Sequence, residues 1–152
     1  MFTIVVLLGM AVAIAALVRR QRQESPTRNW VRDQPVLFEA RAAILIHARG
    51  MQGNGWRSLK GAGWSRLVVH SGGLEATIAP FDGLVSGNTM LTEGATMRRE
   101  RLPAFPIVAG NHDCISLEGN DGAGRREWKV SPRDTTVDEL WAQLLAAGVT
   151  PR

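Results

Sequence analysis

Hydrophobic positions along the chain fall into three regimes. An unbroken apolar run opens it, a long middle section alternates apolar and polar residues, and the last thirty residues contain apolar positions at helical spacing. The run from Phe2 to Val18 (FTIVVLLGMAVAIAALV) has no charge and a single hydroxyl. As a helix its seventeen residues reach roughly 26 Å at about 1.5 Å each, at the short end of what crosses a bilayer. Residues 1–20 are therefore expected to be a transmembrane anchor. Gly9 and Ala13 have the small-xxx-small spacing that lets a second helix approach closely, although Ala-rich segments produce it by chance. A cleaved signal peptide is the competing reading, with Ala-Ile-Ala near the end of the run. Such peptides carry basic residues ahead of the apolar stretch, and here they follow it. Arg19, Arg20 and Arg22 mark the cytoplasmic flank, so the expected topology is a single-pass cell-membrane protein with its C-terminal domain in the cytoplasm.

Residues 21–35 are polar and non-periodic, broken by Pro26 and Pro35, and read as a linker. Trp30 within it has either the membrane interface or the following domain to pack against. Residues 36–150 read as one β-rich domain. Leu37–Ala48 permits helix through its alanines, while Ile44-Leu45-Ile46 suits a buried strand, and strand is expected for its second half. Residues 50–64 hold five glycines and must form a loop or a distorted hairpin.

The clearest hairpin follows: Arg66–His70 and Leu74–Ala79 flank Ser71-Gly72-Gly73, and Leu74, Ala76 and Ile78 alternate with Glu75 and Thr77. Residues 81–106 carry signals for one or two weak strands. A second hairpin joins Cys114–Leu117 to Arg126–Val130 through a turn containing Asn120-Asp121-Gly122, residues that tolerate positive φ. The final element is a helix. Thr136 and Glu139 have capping-box spacing, Val137, Leu140, Trp141, Leu144 and Leu145 share one face, and Gly148 supplies the C-terminal stop.

Charge changes this picture little. The chain has 18 basic and 14 acidic residues and a net charge of +4. Setting aside the three arginines behind the apolar run leaves 15 basic against 14 acidic, a net +1. A nearly neutral domain lacks the electrostatic footprint of a nucleic-acid binder, so no nucleic-acid partner is expected. One cysteine, Cys114, cannot make an intramolecular disulfide, in keeping with a cytoplasmic domain.

The candidate chemistry is sparse. Gly110-Asn111-His112-Asp113 resembles one metal-binding motif of the calcineurin-like phosphoesterases, in which Asn ligates metal and His meets the phosphate. A two-metal centre needs several further Asp and His ligands, and that family's other motifs are missing from the sequence. Cys114 with three scattered histidines lacks the paired spacing of a zinc site. No catalytic residue, metal or cofactor is assigned on these grounds. The Gly-rich stretch carries Arg49, Trp56, Arg57, Lys60 and Arg66, without the Lys-Ser/Thr ending of a phosphate-binding loop. These five are the candidate partner-binding residues, suited to phosphate headgroups or to an acidic patch on a protein.

Antiparallel hairpins closed by one amphipathic helix make an α+β arrangement. That order, with Gly73-Leu74-Glu75 in the middle hairpin and Asp138–Trp141 opening the helix, resembles small membrane-anchored proteins with a pleckstrin-homology-like domain, over residues 36–149. In phosphoinositide-binding members basic residues line the first hairpin loop, where this chain has Arg57 and Lys60. The resemblance implies a non-enzymatic, membrane-held module that binds a protein or an anionic lipid. The alternatives are a membrane-bound metal-dependent hydrolase around Asn111, His112 and Asp113, and an accessory subunit of a larger membrane complex.

Overall fold

The computed structural model describes residues 6, 7, 9–16, 26–48, 56–59, 65–78, 88–102, 113–122 and 124–152. The chain is α+β, with a mostly antiparallel sheet and three helices among the described residues. The first helix, α1, takes in residues 6, 7 and 9–16. It is followed by α2 (Pro26–Asp33), β1 (Val36–Ala48), β2 (Trp56–Leu59), β3 (Ser65–His70), β4 (Gly73–Ile78) and β5 (Asn88–Leu91). Then come β6 (Thr96–Arg101), β7 (Asp113–Asn120), β8 (Arg125–Pro132), α3 (Val137–Ala146) and the two-residue β9 (Thr150–Pro151).

Among the described residues, no helix is long and apolar enough to cross a membrane. In the described part of α1, Val6, Leu7, Met10, Val12 and Ile14 are 50–63% exposed.

The sheet runs β5-β4-β3-β1-β8-β7-β6-β9, with β2 also on β1. Thirteen-residue β1 organises it. Its first half pairs with β3, from Val36 opposite His70 to Arg41 opposite Arg66, and its second half pairs with β8, from Ala42 opposite Pro132 to Ala48 opposite Arg126. On the β3 side, the second half of β1 pairs with β2. At the changeover the Arg133 N–H donates to the Arg41 carbonyl at 2.9 Å, and the Arg41 N–H to Asp134 Oδ1 at 2.9 Å. The expectation of strand for the second half of Leu37–Ala48 holds, and the first half is strand too. Its side chains are recruited by the pairing on β3, a tertiary effect that overrides the helix propensity of alanine.

Alternation sets the core. Ala42, Ile44 and Ile46 of β1, Leu67 and Val69 of β3, Leu74 and Ala76 of β4, Met90, Met97, Ile115, Leu117, Trp128 and Val130 form one buried cluster. The sheet curls until its two halves meet. Gly119 in β7 lies so near β5 that a Cβ there would sit 2.8 Å from Met90 Cγ. Gly is needed at this crossing for closeness alone.

The terminal helix α3 closes the core with Leu140 and Leu144, both fully buried. Its N-cap is as expected: Thr136 Oγ1 accepts the Glu139 N–H at 3.1 Å. At its other end Gly148, at φ 94°, lets the Gly148 N–H reach the Leu145 carbonyl and the Val149 N–H the Leu144 carbonyl, both at 3.0 Å. Leu145 departs from the expected apolar face and is 44% exposed. One residue beyond Leu144, it has turned about 100° round the helix axis and away from the sheet.

Two elements were not expected. The polar stretch read as a linker contains α2, whose Val31 is fully buried. Beyond α3, the tail pairs parallel with β6, where the Thr150 N–H donates to the Ala95 carbonyl (3.1 Å) and the Arg152 N–H to the Met97 carbonyl (2.8 Å).

Candidate functional site

The five candidate binding residues do not behave as one set. Arg49 and Lys60 lie outside the described residues. Trp56 and Arg57 belong to β2, where the backbone pairs Trp56 with His47 and Arg57 with Ile46. Of the Gly-rich stretch, residues 56–59 pair antiparallel with the second half of β1, and the rest of it lies outside the described residues. Arg66 stands apart in β3, opposite Arg41 and Thr77. Its Nη1 donates to Glu39 Oε1 at 2.6 Å across the β1–β3 ladder, so its charge is already matched within the sheet. Arg66 therefore has a structural occupation, and the ladder register that creates it cannot be read from a single strand.

The Gly-Asn-His-Asp segment is only partly placed. Asn111 and His112 lie outside the described residues. Asp113 begins β7, where its carboxylate is 3.5 Å from Arg101 Nε and its carbonyl accepts the Ser131 hydroxyl at 2.8 Å. Among the described residues, no group of three His, Cys, Asp or Glu side chains could hold a metal ion. Cys114 is 1% exposed and packs with Leu45 and Leu102. Burial pushes its thiol up to about 11, with Glu100 and Asp113 adding to the rise and Lys129 opposing it. The thiolate that nucleophilic chemistry requires is thus scarce at neutral pH.

Charges elsewhere on the sheet are matched locally. On the face that carries Cys114, Glu100 is paired with Arg98 and, at 2.6 Å, with Lys129 Nζ. Glu127 there accepts the Ser116 hydroxyl at 2.9 Å. Glu118 takes Arg125 Nε at 2.5 Å and Arg152 Nη1 at 2.6 Å. Burial alone would raise that carboxyl, but the two arginine hydrogen bonds outweigh it and hold it below its ordinary value. Among the described residues, each of these three carboxylates thus has a cationic or hydroxyl partner close by.

One cluster was missed. Arg32 of α2 donates Nε to Glu75 Oε1 of β4 at 2.6 Å, and Glu75 is only 5% exposed. Beside it His70, 3% exposed, holds Nδ1 3.0 Å from the Gln34 carbonyl and Nε2 3.6 Å from Glu75 Oε2. A carbonyl cannot donate, so Nδ1 carries the proton there. Burial, and then the neighbouring Arg32, lower the pKa of Arg28, with Glu75 opposing them. The available signal was Ser25-Pro26, since proline is favoured at the first position of a helix.

There is also a cleft of about 430 Å³ at the start of α3, lined by Arg99, Glu100, Asp113, Cys114 and Asp138 among others. Arg99 is engaged on both sides, by Asp138 Oδ1 at 2.6 Å and by the Trp141 ring at 5.2 Å.

Comparison with protein-family models, with curated proteins and with solved structures finds no match.

Proposed function

We propose that this chain is a single-pass membrane protein whose pleckstrin-homology-like domain binds a protein or anionic-lipid partner without catalysing a reaction. The observation that carries the reading is the exposure of α1. Five large apolar side chains in its described residues are 50–63% exposed. Apolar surface left bare in water costs about 25 cal/mol per Å², and a bilayer removes that cost for a whole helix at once. The run from Phe2 to Val18 supplies the rest of the span, and Arg19, Arg20 and Arg22 set the domain on the cytoplasmic side. A reporter fused after Arg152 is expected to be active in the cytoplasm only, and activity on the other side would overturn the orientation.

The pleckstrin-homology-like assignment is supported by a curled antiparallel sheet whose first strand serves both halves, and by one amphipathic helix that closes the core. The binding residues are Trp56 and Arg57 of β2 with Arg49 and Lys60, which lie outside the described residues, and Arg66 is left out because Glu39 holds it.

A chain lacking residues 1–23 is expected to sediment with anionic vesicles in preference to neutral ones, and less so at high salt. Exposed charges are screened beyond about 8 Å at physiological ionic strength. Replacing Arg57 and Lys60 together by Ser should weaken that binding while moving stability by no more than about 0.5 kcal/mol per change. Absence of any anionic preference would remove the lipid and leave a protein partner. A sharp fall in melting temperature would make the Gly-rich stretch structural instead.

A further inference from the structure

We infer that the end of the domain formed by α2, the β3–β4 turn and the start of β1 lies against the headgroup layer of the membrane that holds α1. This inference rests on the anchor reading above and adds to it which end of the domain meets the lipid. Thirteen-residue β1 then carries its β2-paired end roughly 40 Å from Val36 and away from the bilayer, which favours the protein partner over the lipid there.

Tether length is the first constraint. Val18 and Pro26 are eight residues apart, at most about 29 Å along a fully extended chain. α2 cannot lie further than that from the end of the apolar run.

The second constraint is that α2 is part of the domain. Val31 is fully buried against Gly73, so tightly that a Cβ on Gly73 would come within 2.5 Å of Val31 Cγ2. Arg32 is clamped to Glu75 on the same strand. The short tether therefore fixes one end of the whole domain near the bilayer.

The chemistry of that end fits its place. Trp30 lies against Gly72 yet is 48% exposed, beside a cleft of about 350 Å³ shared with Pro26, Thr27, Leu91 and Glu93. The Ser71 N–H donates to the Pro35 carbonyl at 3.0 Å, which brings the start of β1 to the same turn. There Val36 is 57% and Leu37 49% exposed. Those two and Trp30 are three of the four large apolar residues markedly exposed outside α1 among the described residues, and they gather where the tether enters. Tryptophan favours the membrane interface, where its ring is apolar and its N–H stays wet.

The test uses the full chain in lipid nanodiscs, with a nitroxide label at Val36→Cys or, on α3, at exposed Ala142→Cys. Cys114 is buried and escapes labelling. Collision with a water-soluble nickel chelate is expected to be several-fold lower at position 36 than at 142. A nickel chelate carried on a lipid headgroup should give the reverse order, with several-fold more collisions at 36 than at 142. Trp30→Ser should raise the collision rate at 36 in the discs. Where Trp30→Ser lowers the melting temperature, Leu37→Ser serves in its place. Equal collision rates at the two positions in discs would overturn the inference while leaving the anchor intact. Shielding at 36 without that gain from the lipid-borne chelate would also overturn it, because a protein surface would then be the cover. A chain that fails to enter the discs at all would overturn the anchor reading itself.

Discussion

Leu144→Asp is expected to leave the domain unfolded or unable to accumulate, while Leu145→Asp, one residue further on, is expected to be nearly neutral. Leu144 is fully buried among the core residues of the sheet, and Leu145 is 44% exposed. Truncating a buried Leu to Ala already costs about 2–5 kcal/mol through lost transfer energy and the cavity left behind. An aspartate adds an unpaired carboxylate, which must either stay charged in an apolar setting or bind a proton against its ordinary pKa. A domain of this size has about 5–15 kcal/mol of stability in total, so the sum consumes most of it. At position 145 the carboxylate stays in water and the change is expected to lie within about 0.5 kcal/mol. Thermal melting of the two purified variants, or their yield in soluble form, distinguishes them. Equal melting temperatures would mean that α3 does not close the core through Leu144.

The same contrast shows which parts of the molecule were legible in the residues. Local signals carry local structure well: Ser71-Gly72 makes the β3–β4 turn, and Thr136 with Glu139 starts α3. These features need only neighbours in sequence, and neighbours are visible. Leu145 belongs by spacing to the apolar stripe, yet it is 44% exposed beside fully buried Leu144. The width of a buried stripe is set by the partner surface, which the helix does not encode. Likewise β9 is two residues whose pairing depends wholly on β6 and on the Gly148 turn aiming them there. Helix α2 shows the opposite failure. It is polar and short, and isolated helices of its length are unstable in water. Its stability comes from Val31 and Arg32 finding β4, more than forty residues away.

The candidate site was legible only as a list. Five residues within eighteen positions suggested one basic, aromatic surface. Arg66 shows why that step is unsafe: opposite charges across a ladder neutralise each other, and the partner Glu39 is 27 residues distant in sequence. The same matching recurs at Glu100, Glu118 and Asp138, each beside an arginine or lysine from another stretch of chain. A count of basic residues overstates the charge available to a ligand wherever such pairs form. Arg57 and Lys60 remain the cleanest test of the Gly-rich stretch because their substitution separates binding from stability.

Gly73→Ala is the second large effect, and it bears on how α2 is held. A methyl group at this position would meet Val31 Cγ2 at 2.5 Å and Cγ1 at 2.7 Å, closer than carbon atoms approach without movement. Neither side can yield cheaply. Gly73 is in the β3–β4 ladder opposite His70 and in the β4–β5 ladder opposite Leu91, and Val31 is a fully buried, β-branched residue with restricted χ1. Overpacking of this kind costs about 1–3 kcal/mol. In a domain of 100–150 residues each kcal/mol lowers the melting temperature by several degrees. Val31→Ala alone should also destabilise, because it empties space beside Gly73. Combined, the two changes exchange one methyl for others at the same point. The double variant is therefore expected to be more stable than the sum of the single effects, by about 0.5–3 kcal/mol of coupling. Strict additivity in the melting temperatures would mean that Val31 and Gly73 are not in contact. It would also mean that α2 is not fixed to β4, and the short tether would then no longer orient the domain.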